Sequence, residues 1–163
     1  MATVYSDQLT RQRLGRNLKA NEWAGKVRPV TWNFASLPAG NIGDVLVCGR
    51  IRNGERVLQG REFHSAMGGT ATGAYSTYAI GVDGNSLGAV ITAGKYLAAI
   101  TFVSAGQNEI GSTIAQNALV EEGNTSNPVG SGLTNDVFLC CVNAGSAFAT
   151  AGVVQGYVLL VGD

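Results

Sequence analysis

The chain has 163 residues, the usual size of one domain, and hydrophobic residues make up 45% of it. Charged residues account for only 13%, about half of the roughly 25% that is typical of soluble domains, which suggests that a partner covers part of the surface. The formal net charge is zero and no run approaches the roughly 18 consecutive apolar residues of a membrane-spanning helix, so no membrane partner is predicted.

The first 27 residues differ from the rest of the chain. Residues 5–16 could form a short helix, but its apolar side chains are too few to hold an isolated helix of about ten residues in water. Those side chains are Tyr5, Leu9 and Leu14. We therefore expect residues 1–27 to be an N-terminal arm, partly helical or extended, that becomes ordered only against a partner.

From residue 28 onward, alternating and β-branched runs predict strands separated by turns. The predicted strands are 28–35, 44–52, 56–67, 74–82, 96–103, 136–143 and 148–161. The 23 glycines follow no Gly-X-Y period, which excludes a collagen and fits the turns and bulges of an all-β protein. Residues 88–94 and 109–122 fit neither a helix nor a strand clearly, and residues 123–132 read as a surface loop. The dipeptide Asn53-Gly54 lies between two strand-like runs and predicts a hairpin.

The predicted fold is all-β, with residues 28–163 forming a jelly-roll-like β-sandwich of about seven or eight strands and residues 1–27 forming the extended arm. Continuous apolar runs in 44–52 and 136–143 indicate strands in the middle of the sandwich. The predicted core includes Leu46, Phe138, Leu139, Val158 and Leu160.

Three cysteines, Cys48, Cys140 and Cys141, do not make a disulfide framework because their number is odd and their spacing irregular. We expect all three to be small buried apolar residues. Cys140 and Cys141 are adjacent in a predicted strand, so they should point to opposite faces.

Charge is distributed unevenly along the chain. Residues 1–61 hold ten of the eleven Lys and Arg residues and four of the eleven acidic residues, which gives +6, and the remainder is −6. The basic segment either faces an acidic surface on a neighbouring copy or another protein, or is a solvated tail.

No pattern in the sequence indicates catalysis, a cofactor or a metal site. The only histidine, His64, has no partners at a ligand spacing and is predicted to be a strand histidine that is packed or lies at an interface. Residues 68–73 are glycine-rich but lack the Gly-Lys-Ser/Thr ending of a phosphate-binding loop. A basic cluster without interleaved aromatic residues gives no support for nucleic-acid binding; it consists of Arg11, Arg13, Arg16 and Lys19. We therefore predict a protein that is not an enzyme and binds no cofactor, metal or nucleic acid.

Four places in the sequence carry a resemblance to a known family: residues 1–8, residues 37–40 leading into 43–51, residues 63–68 before 78–82, and residues 156–161. Together they resemble the small capsid-associated structural proteins of tailed bacteriophages that are encoded near the major capsid protein. The resemblance implies a jelly-roll-like decoration (cement) protein on the capsid surface of the virion, assembled in the host cytoplasm. It also implies two partners, the major capsid protein and further copies of this chain in a homotrimer.

A cement protein acts through contact area and shape, so its functional residues are contact residues. We expect the arm to anchor the β-domain to the capsid or to a neighbouring subunit, with apolar contacts from three residues and charge pairs from three others. The predicted contact residues are Tyr5, Leu9, Arg11, Arg13, Leu14 and Arg16.

Other functions remain open at this point. The chain fits another virion component, such as a head-fibre base, a connector or a tail protein, about equally well. A carbohydrate-binding β-sandwich would need exposed aromatic residues on one face. Trp23 and Trp32 lie in or beside the arm, however, and Tyr75 and Tyr78 fall on opposite faces of a strand. The sequence leaves open the copy number, the host and any binding of a host glycan by an exposed loop.

Overall fold

The computed structural model describes residues 3–6, 27–37, 41–52, 55–81, 83–111, 136–148 and 151–161. The strands in these ranges are β1 (Thr3–Tyr5), β2 (Val27–Leu37), β3 (Val45–Ile51), β4 (Arg56–His64), β5 (Thr72–Ile80), β6 (Leu87–Thr101), β7 (Gly106–Ile110), β8 (Val137–Asn143) and β9 (Gly152–Val161). They form a five-stranded sheet in the order β1-β3-β8-β5-β6 and a four-stranded sheet in the order β2-β9-β4-β7. The predicted all-β class is confirmed.

The two sheets pack face to face around one large apolar cluster. Alternate residues of β2 point inward, and Val30, Trp32 and Phe34 are each at most 5% exposed. They meet inward residues of the five-stranded sheet, and the rings of Trp32 and Tyr75 lie 5.6 Å apart. The fold is therefore the predicted β-sandwich.

The chain crosses between the sheets at almost every step. Among the described strands, only β5 and β6 are both consecutive in sequence and paired with each other. This order is compatible with the predicted jelly roll, a double-sheet fold of about eight strands.

The hairpin predicted at Asn53-Gly54 is wrong in its strand pairing, since β3 and β4 do not pair, and the two residues themselves lie outside the described part of the chain. Glu55 donates its N–H to the carbonyl of Arg52 at 3.0 Å, but β3 and β4 then enter different sheets. Both sides of β3 are already occupied, by β8 in antiparallel register and by β1 in parallel. A local turn signal fixes the reversal of the chain but does not decide which strand becomes the neighbour.

β3 and β8 are buried on both faces, as their continuous apolar runs predict. Their outward residues Val45, Val47, Phe138 and Cys140 join Ile80 in a second apolar cluster, here called the outer cluster. The outer cluster lies on the opposite side of the five-stranded sheet from the main core.

The five predicted core residues are all buried: Leu46 and Phe138 are 5% and 2% exposed, and Leu139, Val158 and Leu160 are 0% exposed.

All three cysteines are free and buried, as predicted. Cys140 lies in the outer cluster and Cys141 in the main core, so the two adjacent side chains do point to opposite faces. Burial away from water raises the pKa of each thiol above its ordinary value, because it disfavours the thiolate.

The sequence missed two strands, β1 and β7, and the first half of β6. In β6 the register slips: Tyr75 pairs with Leu97, whereas Thr77 pairs with Thr92, so extra residues bulge out between them. Gly94 sits in this bulge at φ +63°, and its N–H is bound by the hydroxyl of Ser76 at 2.9 Å. The bulge interrupts the alternation along the strand, which explains why only its second half is recognisable in the sequence.

The turn that joins β5 to β6 is held by one carboxylate. Asp83 accepts hydrogen bonds from the N–H of Asn85 at 2.9 Å and from the N–H and hydroxyl of Ser86, each at 2.7 Å. These hydrogen bonds favour the ionised form and lower the pKa of Asp83 from 3.8 to about 2. Residues 83–86 of this turn are thus held by a defined set of contacts.

Candidate interaction surfaces

β1 forms one edge of the five-stranded sheet. It runs parallel to β3, with Thr3 opposite Val45 and Tyr5 opposite Val47. The following residue, Ser6, is buried and donates its N–H to the carbonyl of Val47 at 2.8 Å. The start of the chain is therefore tied to the β-domain by a backbone ladder.

Of the six predicted contact residues, only Tyr5 falls within the described part of the chain. Its half-buried ring packs against the outer cluster, which leaves the rest of the ring at the surface. The other five, Leu9, Arg11, Arg13, Leu14 and Arg16, lie outside the described residues. Their assignment to capsid or subunit contacts stays a prediction, as does the boundary of the arm at residue 27.

Two arginines of the basic segment have buried or half-buried acidic partners in their own chain. The Nε atom of Arg28 lies 2.8 Å from Oε1 of Glu55, and each of these side chains is 10% exposed. The Nε atom of Arg50 lies 2.8 Å from Oδ2 of Asp136.

A third arginine, Arg61, reaches Glu109 at 3.4 Å on the surface. Asp136 and Glu109 come from the acidic part of the chain, so folding partly cancels the charge asymmetry of the sequence.

A buried polar cluster occupies the inward face of β4. The side chain of Glu62 is 0% exposed and that of His64 is 3% exposed. Nδ1 of His64 lies 3.0 Å and 3.1 Å from the two carboxylate oxygens of Glu62, and the side-chain amide of Asn108 donates to one of those oxygens. The edge of the His64 ring packs against Phe102, with the ring centroids 5.0 Å apart.

His64 is thus the packed strand histidine that the sequence predicts, and it is engaged with a carboxylate. Within the described ranges, no group of three His, Cys, Asp or Glu side chains is placed to hold a metal ion. The described residues also include no helix long and apolar enough to cross a membrane.

The outward face of the four-stranded sheet carries a regular array of polar and aromatic side chains. One row crosses the four strands as Thr31, Tyr157, Arg61 and Glu109, each opposite the next. A second row, two residues along, crosses as Asn33, Gln155, Phe63 and Gln107. We call these two rows the amide face.

An open cleft of about 400 Å³ lies at one end of the amide face. Its lining includes Gln59, Arg61, Glu109 and Tyr157. A second hollow of about 330 Å³ is lined by Phe63, Gln155 and their neighbours. The face is therefore grooved rather than flat, and both of its aromatic rings line a hollow.

Two of the four aromatic residues first considered for a sugar-binding face lie in the interior. Trp32 and Tyr75 are buried in the main core, at 3% and 0% exposure, and offer no ring to the surface. Tyr157 and Phe63 were not predicted as surface aromatic residues. The alternation along β4 does place Phe63 outward, between the inward residues Glu62 and His64. What the sequence does not show is that β4 and β9 are neighbours, which brings the two rings into one surface.

The fold of this two-sheet β-sandwich is similar to that of chains in solved structures of phage capsids. A chain in the structure titled "Capsid of Ralstonia phage GP4" matches with a TM-score of 0.68 at 14% identity, over 99% of each chain. A chain in the "Cyanophage Pam1 capsid asymmetric unit" matches with a TM-score of 0.57 at 18% identity, over 86% of this chain and 88% of that one. At these identities the likeness shows a common fold. No protein-family model and no curated protein matches the sequence.

Proposed function

We propose that this chain is a structural protein of a phage virion, and specifically a decoration (cement) protein that binds the head lattice and stabilises it through contact area. The observation that carries this proposal is the match to a chain of the Ralstonia phage GP4 capsid over 99% of both chains. Agreement over 99% of each chain supports a similar use of the two matched chains. The Pam1 capsid match supports the same role.

The physical features of the chain suit a protein that works by contact. The protein has two clusters of buried apolar side chains. One is the main core between the sheets, and the other is the outer cluster on the opposite face of β3 and β8. A core of this kind gives a rigid body, which transmits load between neighbouring capsomers better than a flexible one. The low charge content of 13% leaves a surface that can be desolvated at modest cost.

We propose the N-terminal segment as the anchor. β1 fixes the start of the chain to the sheet edge, and Tyr5 presents part of its ring there beside the outer cluster. The proposed charge contacts to the capsid come from Arg11, Arg13 and Arg16, and the proposed apolar contacts from Tyr5, Leu9 and Leu14. The partners are the major capsid protein and two further copies of this chain in a homotrimer on the capsid surface.

The experiment is a cosedimentation assay with capsids assembled from the major capsid protein of the same virion. The wild-type chain should pellet with capsids in a saturable way, and charge reversal of Arg11, Arg13 and Arg16 to Glu should weaken binding by about tenfold or more. The substitution Lys95→Glu is the control, because it reverses a charge outside the arm. Lys95 lies on β6, which is at the opposite edge of the five-stranded sheet from β1. This design leaves β1 intact, which a deletion of the first 20 residues would not.

Two results would contradict the proposal. If the wild-type chain does not bind capsids, the decoration role fails. If the charge-reversed chain binds as tightly as the wild type, the decoration role survives and the arm is not its anchor. Native mass measurement tests the trimer separately: we expect three times the 16.8 kDa chain, and a stable monomer at micromolar concentration would exclude it.

A further inference from the structure

The amide face has the chemistry of a carbohydrate-binding surface, and we propose that it binds a neutral glycan. This inference goes beyond the decoration role and does not depend on it. It uses the opposite sheet from the one that carries β1 and the outer cluster.

The first argument is charge. The described side chains of the two rows include one cation and one anion, Arg61 and Glu109, which lie 3.4 Å apart and neutralise each other. A surface without net charge gives no long-range attraction to nucleic acid or to an acidic polysaccharide. It is complementary to an uncharged ligand.

The second argument is the kind of polar group. Asn33, Gln107 and Gln155 are exposed in the second row, and Gln59 lines the cleft on the other side of the first row. Each amide side chain offers both donors and an acceptor, which suits a hydroxyl group that also donates and accepts. Sugars present rows of such hydroxyls, whereas an apolar protein surface would leave these amides without partners at a cost.

The third argument is the two aromatic rings. Phe63 and Tyr157 are half-buried, stand on neighbouring strands and line the two hollows. A ring held in this way offers a flat apolar face at low entropic cost, against which the C–H face of a sugar ring can pack. The cleft of about 400 Å³ lies in the size range of small-ligand sites, roughly 300–1,000 Å³.

The face is also preorganised. Tyr157 and Arg61 are held opposite each other by the β4–β9 ladder, and Arg61 and Glu109 by the β4–β7 ladder. On the inner side, Gly60 approaches the carbonyl of Tyr157 so closely that an added Cβ would lie 2.5 Å from it. Side chains on strands locked at this spacing keep their positions when a ligand binds, which favours affinity.

The test uses the full chain and a panel of neutral oligosaccharides: maltohexaose, cellohexaose, chitohexaose and dextran fragments. Polygalacturonate serves as the acidic probe. Isotope-labelled protein is titrated with each probe, and the amide resonances of β4, β7 and β9 are followed. We expect at least one neutral probe to shift them in a saturable way, and the acidic probe to leave them unchanged.

Two variants assign the site. Tyr157→Ala should weaken binding by about tenfold or more, whereas Tyr157→Phe keeps the ring and should stay within about threefold of the wild type. Thr101→Ala, an exposed change on β6, is the control and should bind as the wild type does. Circular dichroism of each variant confirms that the sandwich is intact.

The proposal is overturned if no neutral probe shifts these resonances, or if Tyr157→Ala binds as tightly as the wild type. It is also overturned if Tyr157→Ala leaves sugar binding unchanged but weakens cosedimentation with capsids, because the amide face would then be a protein-docking surface. Loss of capsid binding on charge reversal of the arm has no bearing on this result, so the two proposals fail separately.

Discussion

Replacing His64 by Leu should destabilise the protein far more than the loss of one side chain of that size would suggest. The carboxylate of Glu62 is 0% exposed, and His64 faces both of its oxygens at 3.0 Å and 3.1 Å. Leu fills a similar volume but leaves the carboxylate with Asn108 as its remaining hydrogen-bond partner among the described residues. Breaking a buried pair on one side costs about 3–5 kcal/mol, because the other charge stays buried without compensation.

The free energy of unfolding is measured by denaturant titration at one fixed protein concentration, with tryptophan fluorescence as the signal. Trp32 lies in the core at 3% exposure and reports on the loss of packing. The double variant Glu62→Gln/His64→Leu should recover about half or more of the loss, since a neutral amide tolerates burial far better than a carboxylate. Glu109→Gln, in the exposed pair with Arg61, is the control and should cost less than about 1 kcal/mol.

A cost below about 1 kcal/mol for His64→Leu would refute this reasoning. So would a double variant as unstable as His64→Leu alone, because the loss would then come from packing against Phe102 and not from the buried charge.

Three further predictions follow from other parts of the fold. Phe138→Ala should lower the free energy of unfolding by about 3–5 kcal/mol, since the ring is 2% exposed in the outer cluster; a loss below about 1 kcal/mol would show that this cluster does not contribute to stability. The carboxyl group of Asp83 should titrate by NMR with a midpoint of about 2. Its contribution to stability is therefore complete above its ordinary pKa of 3.8 and is lost as the pH falls through about 2. A midpoint near 3.8 would show that the turn hydrogen bonds do not persist in solution. The three buried cysteines should resist a thiol reagent at pH 8 in the native protein, and all three should react after unfolding in denaturant. Rapid labelling of the native chain would contradict their burial and their raised pKa.

Local pattern in the sequence was enough to predict most strands and their faces. Period-2 alternation identifies the inward residues of β2, and a continuous apolar run correctly marks β3 and β8 as buried on both sides. The opposite orientation of Cys140 and Cys141 follows from the same geometry. These predictions depend on neighbours in sequence, and the forces that decide them act within one strand.

Pairing between strands could not be predicted in this way. Arg50 and Asp136 form an ion pair across 86 positions of the chain, and no residue near either one signals the other. The hairpin at Asn53-Gly54 failed for the same reason, because the choice of partner for β3 depends on β8.

The two surfaces proposed for function differ in how much of each could be predicted from the sequence. The arm is visible as a change of composition, so its contact residues could be named, although only Tyr5 falls within the described part of the chain. The amide face depends on four strands lying in the order β2-β9-β4-β7, which no local signal encodes. The Glu62–His64 pair could be predicted only in part. The two residues are two positions apart on one strand, so periodicity places them on the same face. Their burial depends on the opposite sheet, which the sequence does not indicate.

The strand order also bears on how the chain is made. β8 pairs with both β3 and β5, and β9 pairs with both β2 and β4, so each sheet has a late strand at its centre. While a ribosome is still adding the residues between β3 and β8, the apolar run of β3 can pair with β1 on one side but lacks its antiparallel partner on the other. At about 5–20 residues per second this interval lasts several seconds, during which the nascent chain is exposed to aggregation and to chaperones. Neither sheet is complete before residues 137–161 have left the exit tunnel, so a chain truncated before β8 should remain unfolded.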